Sequence, residues 1–455
     1  MPLSIVILAA GKGSRMKSRR PKVIHPLAGK PLLQHVIDTT RQLAPQQTVI
    51  VVGHEADQVR QALTGQDCDF VEQLEQLGTG HAVQQALKAV TPGNDLLVLY
   101  GDVPMIRAET LLHLQQQFEE HASSVCLLSF VADDPTGYGR IVRDETGSVV
   151  AIVEEKDADA ETRAIREANS GILMLRGGDA TDLLGRLDND NAQGEYYLTD
   201  TVKHAVATQR PVHAVICEDE DELLGVNNQR QLASLETILR ARRAEALMDR
   251  GVKLADPGRI DIRGEVTVGS DVEIDVNCVL EGEVELGDGV RIGPGCVLSN
   301  CRIGAGTILL AHCVVDEAEL GAANTVGPFA RIRPGTETAS GVKVGNFVEI
   351  KKSHIGEGSK INHLAYVGDT EMGARVNVGA GAITCNYDGA YKHRTVIGDD
   401  VFVGSDVQLV APVAIGAGAT IGAGATITKD APAGELTLSR AKQITIQGWK
   451  RPSKN

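Results

Sequence analysis

The chain has 455 residues, with 45 Lys+Arg against 60 Asp+Glu and a formal net charge of −15. At roughly 100–200 residues per domain, that length suggests two to four domains and ample sequence for a buried core. Charged residues at 23% and hydrophobic ones at 42% exclude global disorder, and the acidic balance excludes a general nucleic-acid binder while leaving room for a local basic pocket. Of the 49 glycines, 18 fall in residues 1–250 and 31 in residues 251–455, so the two halves are built by different rules. The eight cysteines (Cys68, Cys126, Cys217, Cys278, Cys296, Cys301, Cys313 and Cys385) contain no C-x-x-C pair, which argues against a zinc framework and fits a reducing, cytoplasmic setting. No stretch approaches the ~18 apolar residues of a membrane span. No membrane partner is expected.

Residues 4–10 form a continuous apolar run, as a parallel strand covered on both faces would. Similar runs at 48–54, 96–102 and 124–130 alternate with helix-like segments such as 58–65 and 80–90. The alternation predicts a doubly wound, Rossmann-like α/β domain over residues 1–228, with its ligands at the carboxyl ends of the strands. There lies Gly11-Lys12-Gly13-Ser14-Arg15, where glycines allow the backbone to approach a phosphate. The loop is neither a P-loop nor a dinucleotide fingerprint, since Met16 stands where the latter has glycine. Read alone, it is equally a tight turn, and Lys22 alone is more often a solvated lysine.

Leu8-Ala9-Ala10-Gly11-x-Gly13-Ser14-Arg15-Met16 followed by Pro21-Lys22 resembles the signature of the sugar-nucleotide pyrophosphorylases. These couple a nucleoside triphosphate to a sugar 1-phosphate. The resemblance implies that Leu8, Ala9, Ala10 and Gly11 wrap the triphosphate and that Lys22 neutralises the transferred phosphoryl group. Gln73 with Gly78-Thr79-Gly80-His81-Ala82 is similar to the base-reading segment of the uridylyl-transferring members, where an amide can donate to a pyrimidine edge and accept from it. Tyr100-Gly101-Asp102 ends an apolar strand at the rim of the site. An aspartate there is commonly a turn residue, but the resemblance makes Asp102 a Mg²⁺ ligand, with Asn227 as the second. Gly139, Glu154 and Asn169 match positions that hold the sugar. Each, taken singly, also reads as an ordinary polar surface residue.

Residues 229–250 place Leu232, Leu235, Ile238, Leu239 and Leu247 at helical spacing. One long amphipathic helix ending at Gly251 is predicted, as the connector between the halves.

In residues 251–455 apolar residues recur every six positions, at Val268, Ile274, Leu280, Leu286, Ile292 and Leu298 and again from Ile397 to Ile427. Phase slips of one fall at Ile303, Leu320 and Ile355. Six matches neither helix nor strand and predicts a parallel β-helix, apolar side chains inward and a glycine at each tight corner. The pattern resembles the left-handed β-helix of the hexapeptide acyltransferases, which form trimers and bind acyl-coenzyme A between subunits. A polar interruption at 385–395 reads as a loop lifted out of the coil. Before it lie Arg331-Ile332-Arg333, Glu349-Ile350-Lys351-Lys352 and His363, the candidate general base for acetyl transfer to an amine. The spacing is taken to let the basic clamp and His363 converge at a subunit edge, with Asn386 as a donor to the thioester oxygen.

Together the halves resemble the bacterial family in which an N-acetylglucosamine-1-phosphate uridyltransferase and a glucosamine-1-phosphate N-acetyltransferase share one chain. That resemblance implies acetylation of glucosamine 1-phosphate by acetyl-CoA, then coupling of N-acetylglucosamine 1-phosphate to UTP, toward peptidoglycan and lipopolysaccharide. It assigns Arg333, Lys351, Tyr366 and Asn377 to the acetyl acceptor, and Ala380, Asn386, Tyr387, Ser405, Ala423 and Arg440 to acetyl-CoA. It also implies Mg²⁺, a homotrimer and small-molecule substrates only. The tail carries Arg440, Lys442, Lys450, Arg451 and Lys454 and no acidic residue after Glu435, which suits coenzyme A phosphates or simply a solvated end. A pyrophosphorylase with a purely oligomerising or regulatory β-helix, or a scaffold without chemistry, are the other readings.

Overall fold

The structure, a computed structural model, describes residues 2–452, and the chain divides into two compact units between Leu239 and Arg240. The Lys454 of the basic tail lies outside the described residues.

The first unit is organised by the strand Leu3–Ala9, buried throughout. Ile5, Ile7 and Ala9 enter one apolar cluster, and Val6, Leu8 and Ala10 enter another, because alternate side chains of a strand point to opposite faces. A strand covered on both faces is apolar at nearly every position, which is why this segment shows no alternation; its buried Ser4 hydroxyl accepts from Asn94 at 2.9 Å. Gln47–Val52 and Asp95–Tyr100 flank it in parallel, and Asp69–Glu72 extends the edge. On the other side the order continues through Glu167–Leu175, Val125–Val131 and Val212–Ile216. Glu167–Leu175 runs antiparallel to both of its neighbours, so the sheet is mixed. Glu167–Leu175 also pairs with Arg140–Arg143, which forms an antiparallel hairpin with Val149–Val153. Ala9, Val52, Glu72 and Tyr100 therefore all end on one rim, where their loops begin.

The helix Gln229–Asp249 forms as predicted, but it does not carry one stripe. Leu232 and Leu235 pack with Met16, Leu27, Leu32 and Val226 in the first unit, whereas Ala244 and Leu247 belong to the core of the second.

The second unit is a parallel β-helix whose coils stack in register. Ile262 pairs with Leu280 and Leu280 with Leu298, 18 residues apart, while Leu298 pairs with Val315 and Ile350 with Val367 at 17. The phase slips in the sequence are these shorter coils. At the lifted loop the step lengthens to 25, from Thr370 to Thr395. The interior is a continuous apolar column, with Leu280, Leu298, Ile332, Ile350 and Ile361 all fully buried. The glycine directly after the apolar position is in most repeats not the left-handed corner residue. That conformation is taken by glycines further on, such as Gly289, Gly341 and Gly424, and by residues such as Phe329, Phe347 and Leu364. Gly345 is required because a Cβ there would lie 1.8 Å from Asn362 O in the next coil. Close stacking, not a special φ, demands it.

Two candidate active sites

On the rim of the first unit, Gly13 adopts φ 58°, and a Cβ on it would meet the Lys22 Cβ at 2.7 Å. The glycine is what lets Lys22 close on the loop. Lys22 Nζ pairs with Asp102 Oδ2 and lies 3.2 Å from Asn227 Oδ1. Arg15 donates to the same Asn227 oxygen at 2.8 Å. The two segments are fastened by Val226 N–H donating to Asp102 O at 2.9 Å, and Gln231 Oε1 accepts from Asn227 N–H at 2.8 Å. One carboxylate oxygen and one amide oxygen thus converge on a single cationic group. Two hard oxygens beside a phosphate loop fit Mg²⁺, which takes one or two protein ligands and completes its shell with phosphate and water.

The adjoining residues are linked in sequence around the rim. Gly101 N–H donates to Leu8 O at 3.0 Å. Tyr100 is overlain by Gly171, whose φ is +85° and whose added Cβ would stand 2.5 Å from the ring. Burial, then the charges of Glu154 and Asp102, push the Tyr100 phenol above its ordinary range, against a hydrogen bond with Thr79. Gly139 O accepts from Asn169 N–H at 2.8 Å, and Asn169 Oδ1 accepts from Gly171 N–H at 3.1 Å. Glu154 faces Gly139 and accepts from the Thr199 hydroxyl at 2.9 Å. Its carboxyl is raised chiefly by burial; the Thr199 bond works the other way, and Asp157, Asp200 and Glu195 add to the rise. Thr199 was not singled out in sequence. It sits in an otherwise unremarked Tyr-Leu-Thr-Asp segment, with no spacing that ties it to Glu154.

Gln73 follows the strand Asp69–Glu72, and its Nε2 donates to Gly78 O at 3.0 Å and to His81 Nδ1 at 3.1 Å. Both amide hydrogens are engaged. The donor-and-acceptor contact expected of Gln73 narrows to an acceptor. Gly78 and Thr79 are held against the segment after Gln193, with Tyr196 N–H donating to Leu77 O at 2.8 Å and Leu198 N–H to Thr79 Oγ1 at 3.2 Å.

In the β-helix the predicted acetyl-transfer residues form two columns. One gathers where the strand Glu349–Lys351 ends. Arg333 pairs with Glu349 at 2.7 Å and Lys351 with Asp369 at 3.8 Å. Asn386 donates to Asp369 and lies 3.5 Å from the Tyr366 hydroxyl. The Asn386 amide, expected to face a thioester oxygen, is thus held by Asp369, a residue that sequence reading passed over as part of an ordinary Val-Gly-Asp-Thr repeat.

The other column begins where Lys360–His363 ends. His363 Nδ1 lies 3.1 Å from Asn346 Oδ1. Gly381 N–H donates to His363 O at 3.3 Å, Asp406 N–H to Ala380 O at 2.8 Å, and Gly424 N–H to Ser405 O at 2.8 Å. Arg440 Nε closes the series on Ala423 O at 2.8 Å. Asn377 starts the strand Asn377–Val378, paired with Lys360. In the lifted loop Tyr387 is exposed, with Lys392 Nζ 4.2 Å above its ring. Among the described residues no hydrogen bond or ion pair joins His363 to Arg333, Lys351, Tyr366 or Asn386. Residues 351 and 363 lie twelve apart, which places them at the ends of different edges of the prism, so the expected convergence does not occur within one chain.

Comparison with known proteins agrees with this division. Residues 5–170 match the MobA-like NTP transferase domain, 262–346 the GMPPB C-terminal domain, and 394–429 the bacterial transferase hexapeptide repeat. The chain is 56% identical to the bifunctional protein GlmU of Cupriavidus pinatubonensis over 452 residues, covering 99% of each. It is 54% identical to that of Chromobacterium violaceum, again over 99% of each, and 53% identical to that of Pseudomonas entomophila over 100% of this chain and 99% of the relative.

Proposed function

The chain belongs to the family of bifunctional GlmU proteins, and from that premise we propose how its residues share the two reactions. It is a bifunctional transferase of UDP-N-acetylglucosamine synthesis, with a nucleotidyltransferase half and a hexapeptide acetyltransferase half. Residues 1–228 serve uridylyl transfer, 251–455 acetyl transfer, and 229–250 connect them.

In uridylyl transfer a phosphate oxygen of N-acetylglucosamine 1-phosphate bonds to the α-phosphorus of UTP, and the bond to pyrophosphate breaks. The observation that supports the site is the convergence of Asp102 Oδ2 and Asn227 Oδ1 on Lys22. These two oxygens would hold Mg²⁺, which when bound neutralises charge on the phosphate oxygens. The loop of Leu8, Ala9, Ala10 and Gly11 offers backbone N–H groups to the triphosphate, and Lys22 neutralises the transferred phosphoryl group. Gln73, Gly78 and Thr79 receive the base. Glu154 and Asn169, with the Gly139 backbone, hold the sugar hydroxyls and N-acetyl group, beside Tyr100 and Gly101.

In acetyl transfer the amine of glucosamine 1-phosphate bonds to the thioester carbon, the carbon–sulfur bond breaks, and the amine loses a proton. His363 Nε2 takes that proton. Arg333 and Lys351 hold the sugar phosphate, Tyr366 and Asn377 the sugar, while Ala380, Asn386, Tyr387, Ser405, Ala423 and Arg440 line the coenzyme A path. Because the two columns stand on different corners, a site containing both draws them from two copies. This supports a homotrimer. So does an exposed stack beside the His363 column, where His312 and Phe329 lie 5.1 Å apart and Phe329 and Phe347 5.5 Å apart. Among the described residues no helix is long and apolar enough to cross a membrane; a cytoplasmic setting suits the substrates and the unpaired cysteines.

Two assays test the reading. Thiol release from acetyl-CoA should require glucosamine 1-phosphate, and pyrophosphate release from UTP should require N-acetylglucosamine 1-phosphate and Mg²⁺. Pyrophosphate release without thiol release would reduce the β-helix to a scaffold.

A further inference from the structure

Gln73 is 3% exposed, and the way its amide is held has a consequence for base selection. A carbonyl oxygen only accepts, so the 3.0 Å approach to Gly78 O fixes the amide nitrogen on that side. The same nitrogen lies 3.1 Å from His81 Nδ1. The second amide hydrogen therefore points at the imidazole, and Nδ1 must present a lone pair to receive it. The ring is then neutral, with its hydrogen on Nε2. Beside Nε2, at 2.8 Å, stands the amide nitrogen of Gln85, a second donor, which a ring already accepting at Nδ1 cannot also receive. A half-turn of that amide presents its oxygen to the Nε2–H, at the cost of an exposed contact from Lys88. His81 lies in the helix Thr79–Ala86, two residues past Thr79, and the helix start is held by Gly80 N–H donating to Tyr196 O at 2.8 Å.

With both hydrogens engaged, Gln73 has only Oε1 to offer. That oxygen is not among the sealed, unpartnered polar atoms of the described residues. Uracil carries an N–H at N3 and can donate to it; cytosine carries a bare nitrogen at N3 and would face it lone pair to lone pair. An amide free to turn over would serve either base. One held at two points serves only the donor.

We propose that His81 is a positioning residue for nucleotide selection, whose Nδ1 locks the Gln73 amide so that the site takes UTP and rejects CTP. The inference rests on the reading of Gln73 as the base-contacting residue. His81 touches neither the base nor the phosphates in this account, and acts through Gln73.

The test is the ratio of kcat/KM for UTP to that for CTP in the full-length enzyme. His81→Met offers only a weakly accepting thioether sulfur near the Nδ1 position; His81→Asn keeps a strong acceptor, because Asn Oδ1 falls about where His Nδ1 does. The ratio should fall about tenfold in His81→Met, the weight of one hydrogen bond. It should stay within about threefold of the parent in His81→Asn, since that variant keeps the acceptor and with it the hydrogen bond. A merely structural role for His81 would lower both nucleotides alike and leave the ratio unchanged, which would overturn the proposal. So would an equal loss of ratio in the two variants. Should His81→Met fail to fold by its thermal transition, His81→Leu takes its place under the same criteria. Gln73→Ala separates the two levels of the argument. If it leaves the ratio intact, the base-contact reading fails; if it collapses the ratio while His81→Met does not, only the role of His81 fails.

Discussion

Asn346 and His363 stand opposite each other on adjacent coils, with Asn346 Oδ1 3.1 Å from His363 Nδ1. An amide oxygen accepts, so Nδ1 carries the hydrogen and Nε2 keeps its lone pair free for a proton. The pair exists because the coil here is 17 residues long. Asn346→Ala should leave the imidazole free to take either tautomer and lower the turnover of acetyl transfer about tenfold, as the loss of one orienting hydrogen bond would. Steady-state thiol release measures it, and unchanged turnover would mean that the ring is oriented by something else.

Burial tunes the carboxyl of Glu154, which we propose holds the sugar. Its carboxyl is raised by desolvation, and the Thr199 hydroxyl, donating to it, favours the ionised form. The ionised form is the stronger acceptor for sugar hydroxyls. Binding of N-acetylglucosamine 1-phosphate should therefore weaken as pH falls through this raised value. Thr199→Val removes the stabilising donor, raises the carboxyl further, and should move the acid limb of kcat/KM for the sugar phosphate to higher pH. A limb that stays in place would assign it to another group.

Arg440 reaches back to Ala423 O at 2.8 Å, in the column that runs from His363. An arginine held there can meet coenzyme A phosphates. Arg440→Ala should raise the Michaelis constant for acetyl-CoA with little change in turnover. Because charge pairing at an exposed site is screened, the gap between variant and parent should narrow as salt is added. A constant gap at all salt concentrations would point to a packing role instead.

Much of this was legible in the residues. The six-residue period specified the β-helix because each coil repeats the same inward contact, and the Leu3–Ala9 run specified a buried strand. Topology placed the Gly11–Arg15 turn and Asp102 on one rim, and the resemblance to the pyrophosphorylase signature added Lys22. What escaped were partners whose link depends on coil length or on antiparallel pairing. Asn346 meets His363 only through a 17-residue step, and Asp369 joins Lys351 to Asn386 across a strand end. Thr199 reaches Glu154 through tertiary packing that no local pattern announces. The antiparallel strand Glu167–Leu175 was hidden because alternating strands and helices announce only parallel neighbours. The glycine directly after the apolar position, such as Gly345, was misread as the corner residue because the sequence displays its frequency and not the coil above it.

Gly345 tests that last point. A Cβ would press on the backbone of Asn362, one residue before His363, and no side-chain rotation relieves a backbone contact. Gly345→Ala should destabilise the β-helix by about 1–3 kcal/mol, the usual cost of overpacking. It should impair acetyl transfer more than uridylyl transfer. Thermal unfolding of the variant, followed with both assays, checks the prediction; a variant as stable as the parent would show that the coils can separate at little cost.

The central claim is that two independent sites, one built around Asp102 and one around His363, lie on separate units of one chain. The measurement that tests it most directly is a crossed assay of Asp102→Ala and His363→Ala, each scored for both reactions. Asp102→Ala should abolish most UTP-dependent pyrophosphate release while thiol release from acetyl-CoA stays near the parent rate. His363→Ala should lower acetyl-transfer turnover by ~10²–10⁴-fold, the usual contribution of a positioned proton acceptor, and leave pyrophosphate release intact. Equal loss of both activities in either folded variant would contradict the account.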